Sequence, residues 1–394
     1  MSRFGRDMAP LPINAVLFVV VFLALGAGRG MAQLVISGNE NKIDLTSGGP
    51  KVIRPGASDS ISILDFAKFP PTVEHLLDVP NSVVGPPSNI AITRDRKVAL
   101  IANSLKIDPA NPTNWVPEDF VYVVDLAAKP PKVVGQVTTG RQPSGISIAP
   151  DGRFALVANR ADGTVSILSL RGQEITVRKT VTVCLPAESP SDVAIAPDGK
   201  LALVSAWKGG YIAVLKIDGE NITATGQKIS TYGQPYRVVI TPDGELALTA
   251  GMGFGNGLDR DAVTVIDLHS KPIRAIQHVT IGSVPESIEI SPDGKLLAAV
   301  VMNGSNLAAT DPNHSEHGGV LLLARKGKTF HVVEELPIGR IPEGVAFTPD
   351  GKYLVVQCHP DRELWIFSVN GGRLRDTGQR IKVPGMPSSL RASP

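Results

Sequence analysis

PSGISIAPDGRFALVAN, residues 143–159, decides the fold. Ile146 and Ile148 alternate with small residues, the period of a half-buried strand. Ala149, Pro150, Asp151 and Gly152 then read as a tight turn. Proline presets φ, the aspartate caps the turn with its own carboxylate, and glycine accepts positive φ. Residues 154–158 form an unbroken apolar run, which reads as a second strand. The stretch predicts a β-hairpin.

The phrase recurs along the chain. Copies begin at Pro87, Pro143, Pro190, Pro235, Pro285 and Pro342, and a shortened one at Pro387, with steps of 56, 47, 45, 50, 57 and 45 residues. A period of about 40–50 residues built from short strands predicts a β-propeller with one four-stranded blade per repeat. Residues 60–66 (SISILDF) match 164–170 and 262–268, which follow the hairpin in later repeats. The N-terminal region therefore supplies the last three strands of a blade, and 387–393 supplies a first strand. Together they predict an all-β, seven-bladed β-propeller, its ring closed by the C-terminal innermost strand with N-terminal outer strands. The second strand of each repeat is apolar at consecutive positions, as stacked blades with two buried faces require. Alanines 99, 155, 202 and 247 occupy one equivalent position there, narrowing the blade toward the axis.

Antiparallel order puts the Pro-Asp-Gly turns on one face. The loops between second and third strands lie on the other, together with the connections between blades. Those loops are long in the first, fourth, fifth and closing blades, at 104–119, 251–261, 302–318 and 38–59. Insertions confined to one face mark a binding face. Here they predict two lips flanking a trough above the channel. The glycine-rich run 251–257 reads as part of a lip, because no helix follows to present amides to a phosphate. Aspartates 151, 198, 243, 293 and 350 are explained by turn chemistry and form no acidic site.

Residues 1–32 read as a signal peptide: Arg3 and Arg6, an apolar core over 13–26, and small residues before a cleavage after Ala32. The alternative is a retained anchor. The propeller then occupies 33–394, and the protein is expected to be periplasmic or secreted. The net charge is +2, and the leader's Arg3, Arg6 and Arg29 against Asp7 account for all of it. A near-neutral mature chain lacks the basic stripe of a nucleic-acid binder. No later segment is apolar enough to span a membrane. Cys184 and Cys358 fall in distant blades and are expected to be free thiols.

The repeat resembles the YVTN family of β-propellers. Leu100-Ile-Ala-Asn103 and Leu156-Val-Ala-Asn159 follow its signature tetrapeptide loosely, and later copies drift to LVSA, LTAG, AVVM and VVQC. The resemblance covers 33–394 and implies the propeller fold. Similar propellers include lactonases, surface-layer repeats and the heavy chain of amine dehydrogenases, and no catalytic motif carries over residue for residue.

The residue after each repeat proline is expected to line the channel mouth: Ser88, Ser144, Ser191, Tyr236, Glu286, Glu343 and Ser388. With Asn159, Arg160, Trp207, Lys208, Arg237 and Arg362 nearby, this makes a polar mouth suited to a small polar ligand, a protein or a peptide. The first functional reading is a binding or scaffold module, acting as a monomer without a cofactor. The alternative, implied by the resemblance, is a lactone hydrolase on the same face. A second expectation is a divalent metal site formed by His314, His317 and His359 with the Glu343 carboxylate, the ligand types of an open zinc centre.

Overall fold

A computed structural model of the chain describes residues 1–2, 33–53, 57–255 and 259–394. The expected leader, with its cleavage after Ala32, lies outside the described residues apart from the first two. Among the described residues no helix is long and apolar enough to cross a membrane.

Seven four-stranded sheets form the blades. Blades 1 to 6 run over 90–138, 143–182, 190–230, 234–280, 285–338 and 342–382. Blade 7 takes its innermost strand from Met386–Ala392 and its other three from Leu34–Glu40, Ser60–Asp65 and Thr72–Leu77. Each innermost strand touches those of the two neighbouring blades, so the ring is closed. The expected closure is the observed one: Val35 pairs with Ala392 and Glu40 with Met386. Gln357 of blade 6 ties the seam by donating to Ser37 Oγ and to the Ser389 carbonyl.

The repeated turn explains itself chemically. Gly152 has φ of 72°, its amide donates to the Ala149 carbonyl at 2.8 Å, and Asp151 Oδ1 accepts the Arg153 amide at 3.0 Å. The same aspartate contact recurs at Asp198, Asp243, Asp293 and Asp350. In blade 1 the equivalent turn places Arg96 in the glycine slot with φ of 60°.

Seven apolar clusters fill the seven gaps between blades. Between blades 4 and 5, for example, Leu246 and Val265 meet Leu297 and Leu321. Each such side chain contributes about 1.5–3 kcal/mol when fully buried. The alanines at 99, 155, 202 and 247 are all wholly buried, as the inward taper demands. Cys184 and Cys358 are buried free thiols.

Candidate functional site

The long loops do more than border a trough. The loop of blade 7 folds into a small hairpin, Ile43 and Asp44 pairing with Val52 and Lys51. Its tip crosses the mouth: the Gly48 amide donates to the Asn306 carbonyl of blade 5 at 2.8 Å. The two expected lips are therefore joined by a strap. Two apolar clusters outside the blade cores carry it. One holds Ile43, Val83 and Leu105, the other Val284, Met302 and Ile341, and Leu45 packs against both. At the base of the strap Lys42 pairs with Asp59 and donates to the Asn81 carbonyl. On the far lip Asp261 accepts the amides of Gly253 (2.6 Å) and Val284 (2.7 Å).

Beneath these loops lies a cavity of 520 Å³. Of the expected ligand residues, Arg160, Trp207, Tyr236, Glu286 and Glu343 come together in it. The Arg160 guanidinium lies 4.8 Å from the Trp207 ring centroid and 5.6 Å from that of Tyr236, and the two tilted rings are 5.6 Å from each other, a three-way cation–π cluster. Its Nη1 is buried with no hydrogen-bond partner. Glu286 and Glu343 rise from the innermost strands of blades 5 and 6. Burial pushes the Glu286 carboxyl up to about 7, against the pull of Arg160. Glu343 is pushed well above the carboxylate range, by burial first and then by the Glu286 and Glu40 charges. One oxygen of Glu343 also lacks a partner. Two neighbouring carboxyls that cannot both ionise hold one proton between them near neutrality. Burial likewise raises the Tyr236 phenol.

The ring of positions after the repeat prolines is divided. In blades 7, 1, 2 and 3 it carries buried serines 388, 88, 144 and 191; blades 4, 5 and 6 carry the tyrosine and the two glutamates. The serines mostly brace the ring: Ser88 donates to Asp192 Oδ1 (2.8 Å) and Ser191 to the Tyr236 carbonyl (2.7 Å).

Three expected ligand residues lie elsewhere. Asn159 is buried inside blade 2, its amide donating to Thr164 Oγ1 and Ser166 Oγ at 2.9 Å each. It serves its own sheet because strand alternation turns it away from the axis. Arg237 sits deeper in the channel, where it donates to Ser287 Oγ (2.7 Å) and pairs with Glu289. Glu289 opens toward the turn face, where a separate 440 Å³ pocket lies among the hairpin turns. Arg362 is exposed at the short blade 6 loop, with φ of 54°, outside the cavity wall.

The three histidines do not converge. His359 is wholly buried, with Nδ1 3.1 Å from the Pro387 carbonyl and Nε2 3.4 Å from that of Ile43. His314 faces the Leu307 carbonyl and Glu316, and His317 the Ile338 carbonyl. Among the described residues no group of three His, Cys, Asp or Glu side chains is placed to hold a metal ion. Backbone carbonyls take both ring nitrogens of His359 and Nδ1 of His314 and His317, because the 302–318 loop folds on itself and His359 packs at the seam.

Sequence reasoning missed Glu40. It is wholly buried at the end of the strand that closes the ring, accepting the amides of Lys42 (2.7 Å) and Ile43 (3.1 Å). Its Oε1 lies 3.9 Å from His359 Nε2. Burial lifts Glu40 to about 8 and lowers His359 to about 4, so both are neutral at neutral pH. The only signal was position, an acid beginning the longest insertion. Also missed were Leu45, Trp115, Met252 and Met302, apolar residues within polar loops.

With this geometry in view, the likeness to known proteins can be placed. The family model described as "Lactonase, 7-bladed beta-propeller" matches residues 119–240, from the third strand of blade 1 to the first of blade 4. The chain is a lactonase-like seven-bladed propeller. Among curated proteins none matches it. Similar solved structures include a putative 6-phosphogluconolactonase from Bacteroides fragilis (18% identity, 93% of this chain and 99% of that one, TM-score 0.70). The periplasmic gluconolactonase of Pseudomonas aeruginosa is 17% identical over 91% of this chain and 99% of its own, with a TM-score of 0.65. Hydrazine synthase of Kuenenia stuttgartiensis is 25% identical over 74% of this chain and 78% of that one, TM-score 0.57. The first two likenesses are of fold.

Proposed function

We propose that the lactonase-like propeller is a lactone hydrolase working in the cavity beneath the strap. The observation that carries this reading is the joining of two unlike carboxyls, Glu286 and Glu343, to an arginine with an unpartnered N–H in one cavity. Glu286 ionises near neutrality and acts as general base, whereas Glu343 keeps its proton and acts as general acid. A water oxygen attacks the lactone carbonyl carbon as Glu286 removes its proton. Arg160 Nη1 donates to the oxyanion that forms. Collapse breaks the ring C–O bond, and Glu343 protonates the departing alkoxide. The open hydroxy acid leaves, and a proton passes from Glu286 to Glu343 to restore the pair.

The likeness to lactonase propellers supports the reaction class, and the leader sequence supports action outside the cytoplasm. One chain and one small ligand suffice. The test is hydrolysis of a lactone panel by purified protein, followed by acid release. Arg160→Met is expected to reduce kcat by about 10²-fold or more, the usual cost of an oxyanion donor. The reading of a binding module draws on the Trp207–Arg160–Tyr236 cluster, which would hold a ligand without transforming it. Saturable binding with no turnover across the panel favours that module and removes the hydrolase.

A further inference from the structure

The floor and the walls of the cavity differ in chemistry. The floor, formed by innermost strands and Arg160, carries the charged groups. The walls are loops, and they are apolar. On the side of blades 7 and 1 stand Leu45, Val83, Val84 and Trp115. On the side of blades 4 and 5 stand Met252, Phe254, Val284 and Met302. Phe254 is 88% exposed at the rim, an aromatic ring held toward solvent by a lip that Asp261 pins. Apart from Phe254, these wall residues belong to the two apolar clusters that no blade interface uses. The seven blade cores are complete without them; these residues hold the strap across the mouth, and the sides they leave uncovered line the cavity.

A sugar-acid lactone presents hydroxyls on every side and would need a matching set of donors and acceptors. Beside the charged groups, the described lining offers Gln142, Ser189 and Asn306, the Tyr236 hydroxyl and the indole N–H groups of Trp115 and Trp207 for that purpose, against eight apolar side chains. A phosphorylated substrate is served worse. The cations of the lining are Arg160, already engaged with two aromatic rings and the Glu286 carboxyl, and the exposed Lys208, which lies over the Trp207 ring.

We propose that the cavity takes a lactone bearing an apolar substituent, its ring on the polar floor and its alkyl or aryl group between the methionine wall and the strap. The turnover part of this inference rests on the hydrolase reading, whereas the binding part does not. Methionines suit the role, since their unbranched thioethers adapt to ligands of varied shape.

The experiment pairs D-glucono-δ-lactone with δ-decalactone on the full purified chain. It measures kcat/KM by acid release and Kd by quenching of tryptophan fluorescence, Trp115 and Trp207 both lining the cavity. The expected result is kcat/KM at least about tenfold higher, and Kd correspondingly lower, for δ-decalactone, in line with the discrimination that a few methylenes give in an apolar pocket. Met252→Gln and Met302→Gln should each narrow that ratio, and a thermal melt of each variant checks that it is folded. If no lactone is hydrolysed but δ-decalactone still binds the tighter, the hydrolase reading falls and the apolar ligand class stands. If gluconolactone is turned over or bound as well as δ-decalactone, or if neither binds, the inference is overturned.

Discussion

At the turn face, Glu289 sits between two guanidinium groups, paired with Arg237 and 3.8 Å from Arg391. At the lipped face, Glu286 has Arg160 for a cation, and Glu343 meets only the charges of other carboxyls. Deeper toward the turn face, Asp192 is similarly provided for, with the Ser88 hydroxyl, the Val238 amide at 3.0 Å, and the fields of Arg237 and Arg391. Both regions bury ionisable groups at the axis of one ring. One compensates them with paired charges across the axis. The other leaves them short of partners, which costs stability and keeps proton-holding groups available to a ligand. The difference separates a brace from a site, although the two are built from equivalent strands.

The comparison can be broken most severely by removing 387–394, which takes away Arg391 together with the innermost strand of blade 7. The cooperative thermal transition of the full chain should be lost, because an open edge and the apolar surface around Leu390 are exposed. A truncated protein melting at the original temperature would show that the ring does not depend on this closure.

A crossed pair of substitutions sharpens it. Glu286→Gln should lower kcat by about 10²–10⁴-fold, the worth of a general base, with the fold retained. Glu289→Gln should leave lactone turnover near its original level yet reduce unfolding free energy by about 3 kcal/mol, since it strands buried guanidinium charge. Urea denaturation and acid-release assays on both variants read the two effects, and exchanged outcomes would reverse the assignment of the two faces.

The pH dependence has a defined sign. The base must be ionised, so kcat/KM should rise with pH through about 7, the value to which burial pushes Glu286. Stability should run the other way. Glu40 keeps its proton up to about 8 when folded and loses it above its ordinary 4.5 when unfolded. Its contribution is therefore full below 4.5 and lost as pH rises through 8. His359, depressed to about 4 from 6.5, contributes fully above 6.5 and loses that contribution as pH falls through 4. Glu40→Gln should flatten the decline in melting temperature between pH 4.5 and about 8, and an unchanged slope would show that Glu40 is ionised in the native state. Smallest of all, Arg96→Gly should stabilise the blade 1 turn by about 1 kcal/mol, because glycine accepts the positive φ that arginine is held in. Chemical denaturation of this variant measures it.

The propeller was legible because its signal is local and repeated. Pro-Asp-Gly fixes each hairpin, and the period fixes how many hairpins there are. The residues after the repeat prolines inherit their position from that period, so Tyr236, Glu286 and Glu343 could be placed at the mouth. Arg160 and Trp207 follow as first residues of short loops. Arg237 failed because one step along an innermost strand moves a side chain from the mouth into the channel, and a long side chain ends where its partner is. Asn159 failed because its neighbours in the sheet, Thr164 and Ser166, satisfy it first. The strap and Glu40 were illegible because an insertion has no repeat to inherit geometry from. Its path is set by where Leu45 finds apolar partners, on loops far away in sequence. The histidines failed for the same reason: the loop that holds two of them is ordered by its own backbone.

The contact between Gly48 and Asn306 is a chord drawn across a wheel, joining blades 7 and 5 over the blade between them. The chord grows directly out of the strand that clasps the ring shut, since Leu34–Glu40 runs into 41–53. Access to the cavity and integrity of the seam are thus functions of one segment. A molecule lodged beneath the chord adds contacts to the segment that also clasps the ring. Occupancy therefore slows the opening of the ring as well as shifting its equilibrium, and the filled propeller outlasts the empty one under heat or protease.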